Sequence, residues 1–486
     1  MLFSLSPFAP PALLQYVHTR EPEWMELYAQ LAGHLGAALI LLGVLFLLTA
    51  IFLKPIERSL GLLVGLPQKQ FLFAVLLLAA ALRVCWLFAF RPDLWADAEW
   101  YHRLAVNLSN GRGYVWDDGS PTAYLPIGYP LILSLLYRYL GDSVWVGQGL
   151  NLLLSLAILF PSYFLFRRVW NEQTARIGTL ILAVSISQIS WVGILFSEVT
   201  FAFLFMVQLL LTAEGLEHRE FRWKWCMVAG FATGIAALIR PIALLVPAAL
   251  FATFLLREDR RSPLVSRIAL LYAVTFVVLI PLVVRNFMVF HAFIPISTNG
   301  GVNFWIGNNP EAGGYYWYPA YAHLTGSEVD QSRQGYALGL EWIAAHPGAA
   351  ALNMFKKLFH LYHRDDFGVL FSLVSDHHSP PWTAGAASAI FSDLFYYALI
   401  VPAVWRIVAK RGSLSACEIF LLLTCVLVTC FYLIFFGSHR FHYPLYPILA
   451  GFAAAAFIGG AGSARGPQTH SRQNTIFGAE RMSGIF

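Results

Sequence analysis

The residues equipped for chemistry gather between positions 91 and 129, in RPDLWADAEWYHRLAVNLSNGRGYVWDDGSPTAYLPIGY, which lies between two long apolar runs. Asp97 and Tyr101 stand four residues apart in a helical pattern that continues through Ala105 and Leu108 and stops at Asn110-Gly111. A carboxylate and a phenol therefore share one helix face, and Glu99 points elsewhere. An acid just outside lipid keeps its charge beside an apolar wall, and because a charge inside lipid is expensive, an acid at that border suggests a site. The plainer reading of Asp97 is an N-cap in DAEW.

Other polar residues belong to the same border. Glu198, in FSEVTF, opens an apolar run and by topology approaches the pocket of Asp97, although a helix-end acid is also stabilised by the N-terminal dipole alone. Tyr124 and Tyr129 lie in PTAYLPIGYP, stiffened by its prolines, and for Tyr129 an aromatic-belt position suffices. Arg440 in GSHRFHYPLYP, with His442 beside it, and Arg285 are cations at the same boundary, where a planar fork suits a lipid phosphate. Arg240 reads instead as snorkelling to headgroups. In RNFMVFHAFIPISTNGGVNFWIGNNPEAGGYYW, Asn299 and Asn303 are interleaved with Phe304, Trp305, Tyr315, Tyr316 and Trp317. That mixture suits a bound sugar, with rings against C–H surface and amides toward hydroxyls, or equally a rigid lid of turns. A helix over 328–346 follows, then an amphipathic, surface-lying helix offering Lys356, Lys357 and His360.

The elements that must position these residues are membrane spans. Hydrophobic residues make up 58% of the 486 and charged residues 12%, against about a quarter charged in soluble domains. Apolar windows of spanning length recur at 27–53, 70–90, 146–166, 175–194, 197–216, 225–240, 241–256, 266–284, 386–405, 415–436 and 442–461. The fold expected is all-α and polytopic, with about 11 transmembrane helices. More than half of the 32 Lys and Arg fall in short loops on one side, which is thereby cytoplasmic. The long segments 91–145 and 285–385 form the external face and carry short interfacial helices. No internal repeat and no inverted pair of broken helices of the transporter kind is evident. The clearest mid-span charge, Arg83, reads as a structural partner in the bundle or as the mark of a transport path. Cys85, Cys226, Cys417, Cys425 and Cys430 all lie in apolar runs, so no disulfide framework or zinc spacing is available. No basic patch supports a nucleic-acid partner.

With these residues in view, the chain resembles the GT-C superfamily of membrane glycosyltransferases, and within it the dolichyl-phosphate-mannose protein mannosyltransferases and their bacterial relatives, which include lipid A aminoarabinose transferases. The resemblance covers about 70–460 and rests on ordered features: Asp97 with Tyr101 and Gly111-Arg112-Gly113-Tyr114, PTAYLPIGYP, Glu198, GFATGIAALIRP, RNFMVFHAFIPISTNGGVNFWIGNNP and HRFHYPLYP. It implies transfer of a sugar, with inversion, from a polyprenyl-phosphate carrier to an acceptor hydroxyl on lipid, protein or glycan. Undecaprenyl phosphate is the carrier implied for a bacterial cell, at the external face of the inner membrane. Asp97 takes the position of the family's first-loop acid, a general base or a metal ligand, so a divalent ion, Mg2+ or Mn2+, is left open. Arg440 and Arg285 match the positions that hold the carrier phosphate. Where many relatives follow the acid directly with Glu, Ala98 intervenes here, and Glu99 is a poor carry-over. The expected organisation is an N-terminal segment with an additional span over 1–69, a GT-C-like core over 70–461 and a polar cytoplasmic tail over 462–486. A transporter or flippase of lipid-linked glycans and a non-catalytic glycolipid-binding subunit are the rival readings.

Overall fold

The computed structural model describes residues 61–90, 92–217, 223–256, 264–316, 324–373 and 382–463. The expected span at 27–53, Arg91, Trp317 and the tail from 464 lie outside the described residues. The described chain is helical. It begins with α1 (Gln68–Ala89), and the first long loop holds α2 (Asp97–Ser109) and α3 (Gly128–Leu140). Next come α4 (Val144–Ala157) and α5 (Leu159–Val169), α6 (Glu172–Val184), the short α7 (Ile186–Ser190), α8 (Glu198–Glu217), α9 (Trp223–Ile239), α10 (Leu245–Leu256) and α11 (Leu264–Phe290). The second long loop carries α12 (Asn299–Gly307), α13 (Glu328–Ala345), α14 (Pro347–Tyr362) and α15 (Phe367–Ser372). The chain then returns through α16 (Trp382–Ala409), α17 (Ala416–Ile434) and α18 (Tyr446–Ser463).

Among the described residues, six helices are long and apolar enough to cross a membrane: α1, the continuous stretch of α4 and α5, α8, α11, α16 and α17. A seventh candidate is the pair Glu172–Val184 and Ile186–Gly193, bent by 53°. The segments expected at 225–240, 241–256 and 442–461 form shorter apolar helices of 10–17 residues. Ten of the eleven expected segments thus fall on apolar helices among the described residues, six of spanning length, one on the bent pair and three shorter, and the eleventh, 27–53, lies outside them. The protein is a multi-pass membrane protein.

The bend after α6 exposes backbone carbonyls inside the bundle, where lipid offers no donor. A polar stripe on α4, spaced to share one face, supplies the donors. Gln148 Nε2 donates to Gly193 O (3.0 Å), Asn151 Nδ2 to Ile194 O (2.7 Å) and Ser155 Oγ to Gln188 O (3.2 Å). Arg83 of α1 completes the repair: Nε donates to Ser155 Oγ (2.7 Å), Nη1 to Ala183 O (2.9 Å) and Nη2 to Leu182 O (3.3 Å). The mid-span cation thus has a structural partner set. The supported break delivers Ser197 and Glu198 to the start of α8.

The two long loops are tied together by one carboxylate. Glu328, first residue of α13, accepts from Trp116 Nε1 (2.9 Å), Thr122 Oγ1 (2.5 Å), Ala123 N (3.0 Å) and Thr298 Oγ1 (3.1 Å). Thr298 N also donates to Ala123 O (2.9 Å). Within the second loop, α12 and α13 cross in contact at glycines: a Cβ on Gly301 would lie 1.8 Å from Ser332 O, and one on Gly335 2.2 Å from Gly301 O.

Candidate active site

Asp97 does not cap its helix. The N-cap position is Ala96, no side chain caps α2, and Asp97 is the first helical residue. Ala96 itself adopts φ 51°, a conformation L-residues avoid, and such backbone strain, costing about 1–3 kcal/mol, concentrates at functional sites. The Asp97 carboxylate meets Arg440, whose Nη1 lies 2.8 Å from Oδ2 although 343 residues separate them. The pair is partly open: the side chains of Arg440 and Asp97 retain 18% and 27% of their exposure.

Arg440 is held by aromatic faces. Its guanidinium lies 5.4, 5.8 and 5.1 Å from the ring centres of Phe196, Phe367 and Phe441, within the range of cation–π attraction. Burial opposes its charge, but Asp97 and Glu198 outweigh that and hold it above the usual arginine range. Behind it, His439 Nε2 lies 3.5 Å from Asp366 Oδ1, and Arg364 pairs with the same acid. Burial, reinforced by Arg364, His442, His363 and Arg440, keeps His439 well below the usual imidazole value.

A second ion pair lies deeper. Arg240 Nη2 approaches Glu198 Oε1 at 2.5 Å, with the Glu198 side chain fully buried. Arg240 Nε donates to Ser197 Oγ (3.1 Å), and the Tyr101 hydroxyl donates to the same oxygen (3.2 Å). Tyr432 also bonds to Arg240. Tyr101 packs edge-on against Tyr129 at 5.1 Å, and burial pushes its phenol up to about 12. Asp97, Tyr101, Glu198, Arg240 and Arg440 form one cluster at the loop-bearing end of the bundle.

The sequence placed Asp97, Tyr101, Glu198 and Arg440 at this border, and the structure brings all four together. Arg240 is the member it missed: instead of snorkelling, it neutralises a buried glutamate. An acid and an arginine interrupting two apolar runs at the same depth were the available signal. Arg285 goes the other way. Its Nη1 donates to Thr122 O (2.7 Å) and its Nη2 to Tyr114 O (2.9 Å), so it fastens the first loop instead of joining Arg440. His442 is buried, with Nδ1 2.7 Å from Leu361 O and Nε2 3.0 Å from Asp365 Oδ1. It supports the loop under Arg440 and is closed to a ligand. Asn299 and Asn303 lie on α12, where Asn299 Oδ1 accepts from Ser297 Oγ (2.9 Å); neither bonds to the cluster among the described residues. Tyr129 is fully buried rather than set in an aromatic belt. Tyr124 stays half-buried beside Trp100 and Trp116. On α14 the surface-lying expectation fails for Lys357: it is buried, its amine donates to Asn308 Oδ1 (2.8 Å) and Leu433 O (3.1 Å), and burial brings it down to about 8. It finishes the last turn of α17, where a cation meets the helix dipole.

The donor set does not fit a divalent ion. Among the described residues no three His, Cys, Asp or Glu side chains converge as ligands. Each acid of the cluster is already matched by an arginine, which a cation would have to displace.

Residues 125–284 match the family model of dolichyl-phosphate-mannose-protein mannosyltransferase. The matched stretch includes Glu198 and Arg240 and leaves out Asp97 and Arg440. No curated protein matches the sequence. Among solved structures, the chain is similar to the oligosaccharyltransferase of Archaeoglobus fulgidus tethered with an acceptor peptide containing the NVT sequon, at 14% identity and TM-score 0.50, over 81% of this chain and 50% of that one. It is also similar to the archaeal oligosaccharyltransferase AglB from Archaeoglobus fulgidus in complex with an inhibitory peptide and a dolichol-phosphate, at 16% identity and TM-score 0.48, over 83% of this chain and 53% of that one. ArnT from Cupriavidus metallidurans bound to undecaprenyl phosphate gives 15% identity and TM-score 0.41, over 78% of both chains. The chain spans about half the length of the oligosaccharyltransferases it matches.

Proposed function

From the premise that this chain has the fold of the GT-C membrane glycosyltransferases, we propose that it moves one sugar from a polyprenyl-phosphate carrier to an acceptor hydroxyl. The observation that carries this reading is the half-open Asp97–Arg440 pair above the buried Glu198–Arg240 pair. In the proposed reaction the carrier phosphate competes with Asp97 for the Arg440 fork and frees the carboxylate. Asp97 then accepts the proton of the acceptor hydroxyl as its oxygen bonds to the anomeric carbon from the opposite side, with inversion. The phosphate oxygen leaves with the electron pair, and Arg440, backed by Arg240, meets the developing charge, the larger electrostatic task. Glu198 and Tyr101 keep Arg240 and Ser197 in place beneath it.

The carrier in a bacterial cell is undecaprenyl phosphate, and the site faces the outside of the plasma membrane, the side opposite the basic short loops. The acceptor is a glycan, a lipid such as lipid A, or a protein. The proposed reaction uses no metal, since the cluster's acids are matched by arginines. Asp97→Asn, assayed as purified protein with a radiolabelled lipid-linked donor, is expected to lose at least about 100-fold in turnover, the lower end for general-base catalysis. Unchanged turnover removes Asp97 from the mechanism, and in the same assay activity is expected to survive EDTA.

A further inference from the structure

One turn along α2 from Asp97, on the same loop-bearing end, three large rings stand together. The ring of Trp100 lies 5.9 Å from that of Trp116 and 5.9 Å from that of Tyr124, edge to face in both cases, and Trp116 lies 6.4 Å from Tyr124. All three are half-buried, although the neighbouring Tyr101, Tyr114 and Tyr129 are buried. With Gly326, Glu328 and Gln331 they line a cleft of about 360 Å³, toward the small end of the roughly 300–1,000 Å³ typical of ligand pockets. Rings arranged edge to face present electron-rich faces at steep angles to one another, a shape that receives C–H groups.

The cleft is built rather than incidental. Glu328 holds Trp116 by its indole N–H and the backbone of Ala123, beside Tyr124, so the rings are fixed from behind and line the cleft in front. Among the described residues the charge lining it is that carboxylate, and no Lys or Arg lines it, Arg285 acting on the carboxylate from outside the lining. A phosphate or a uronic acid would meet repulsion there, whereas Arg440 stands ready at the other end of the Asp97 carboxylate. Trp100 follows Asp97 by three residues, one turn of the same helix and about 4.5 Å along its axis.

We infer that Trp100, Trp116 and Tyr124 form the acceptor subsite and that the acceptor is a saccharide whose pyranose ring carries no negative charge. The inference rests on the transferase reading above and names the acceptor class for it. The ring lies with its C–H face on the indoles and one hydroxyl toward Asp97.

The test is saturation-transfer NMR on the full-length protein in detergent, with methyl α-mannopyranoside and methyl α-glucopyranoside as neutral probes and methyl glucopyranosiduronate as the anionic one. The neutral probes are expected to receive saturation on their ring protons, and the glucuronide much less. Trp100→Ala and Tyr124→Leu are each expected to cut the signal about fivefold, as losing one ring contact would, while Trp100→Phe retains it. Absence of any signal with the wild-type protein overturns the subsite without recourse to a variant. So does a signal indifferent to both ring substitutions, or a Ser/Thr-containing peptide that is glycosylated while the glycosides are ignored. If the protein cleaves a lipid-linked donor but ignores glycosides, the subsite is wrong and the transferase reading stands. If glycosides bind at the rings and no lipid-linked donor is ever cleaved, the transferase reading falls while the sugar site remains.

Discussion

A buried carboxylate and its cation are worth little as a pair and much as halves. Glu198 and Arg240 meet at 2.5 Å with the acid fully enclosed, so removing one partner strands a charge, a loss of about 3–5 kcal/mol. Arg240→Leu is therefore expected to unfold in detergent well before the wild type, and Arg240→Leu combined with Glu198→Gln to recover most of the loss. Under the snorkelling reading, the single change would leave the melting temperature nearly where it was. Type and depth were legible in the sequence: Asp97, Glu198 and Arg440 are ionisable residues bordering apolar runs, and Tyr101 lies one helical turn from Asp97. Arg240 and Arg285 were misassigned because a guanidinium at a helix end looks the same whether it faces a headgroup, a glutamate 42 residues away or a carbonyl across the loop. Only the tertiary fold decides among those partners.

At the scale of elements, the start of α8 depends on a break it does not contain. The 53° bend after α6 is accommodated by the polar stripe of α4 and by Arg83. Arg83→Met keeps bulk but strands the carbonyls of Leu182 and Ala183, each orphaned buried group costing about 1–3 kcal/mol. A loss of at least about 2 kcal/mol in detergent unfolding is expected. Turnover is expected to fall further than stability predicts, since Ser197 and Glu198 shift with the bend. An Arg83→Met protein as stable and as active as the parent would contradict this account. Helix positions were largely readable: α2 and α13 appear where they were expected, α13 starting on the Ser327–Asp330 capping box and α2 stopping at Asn110-Gly111, although no side chain caps the start of α2. The support was less readable. Gln148, Asn151 and Ser155 recur at helical spacing inside an apolar run, but nothing local shows that the backbone they serve is 33 to 45 residues away. Lys357 likewise looked like a surface cation until the end of α17 came to meet it.

For the molecule as a whole, the long loops form one layer over the bundle, and its fastening has a bearing on traffic. Glu328 gathers four donors from both loops, and Arg285 pins the first loop from the end of α11. Lifting that layer would rupture the whole set at once, so it behaves as a fixed arch and not as a hinged door. On the proposed transferase reading, a carrier with a long hydrocarbon tail enters sideways from the leaflet, beneath the arch, while the second substrate arrives from the water. Amide hydrogen exchange at Ala123 and Thr298, both donors in the clasp, is accordingly expected to remain slow and equal with and without a lipid-linked donor. Faster exchange on donor binding would mean that the arch lifts after all.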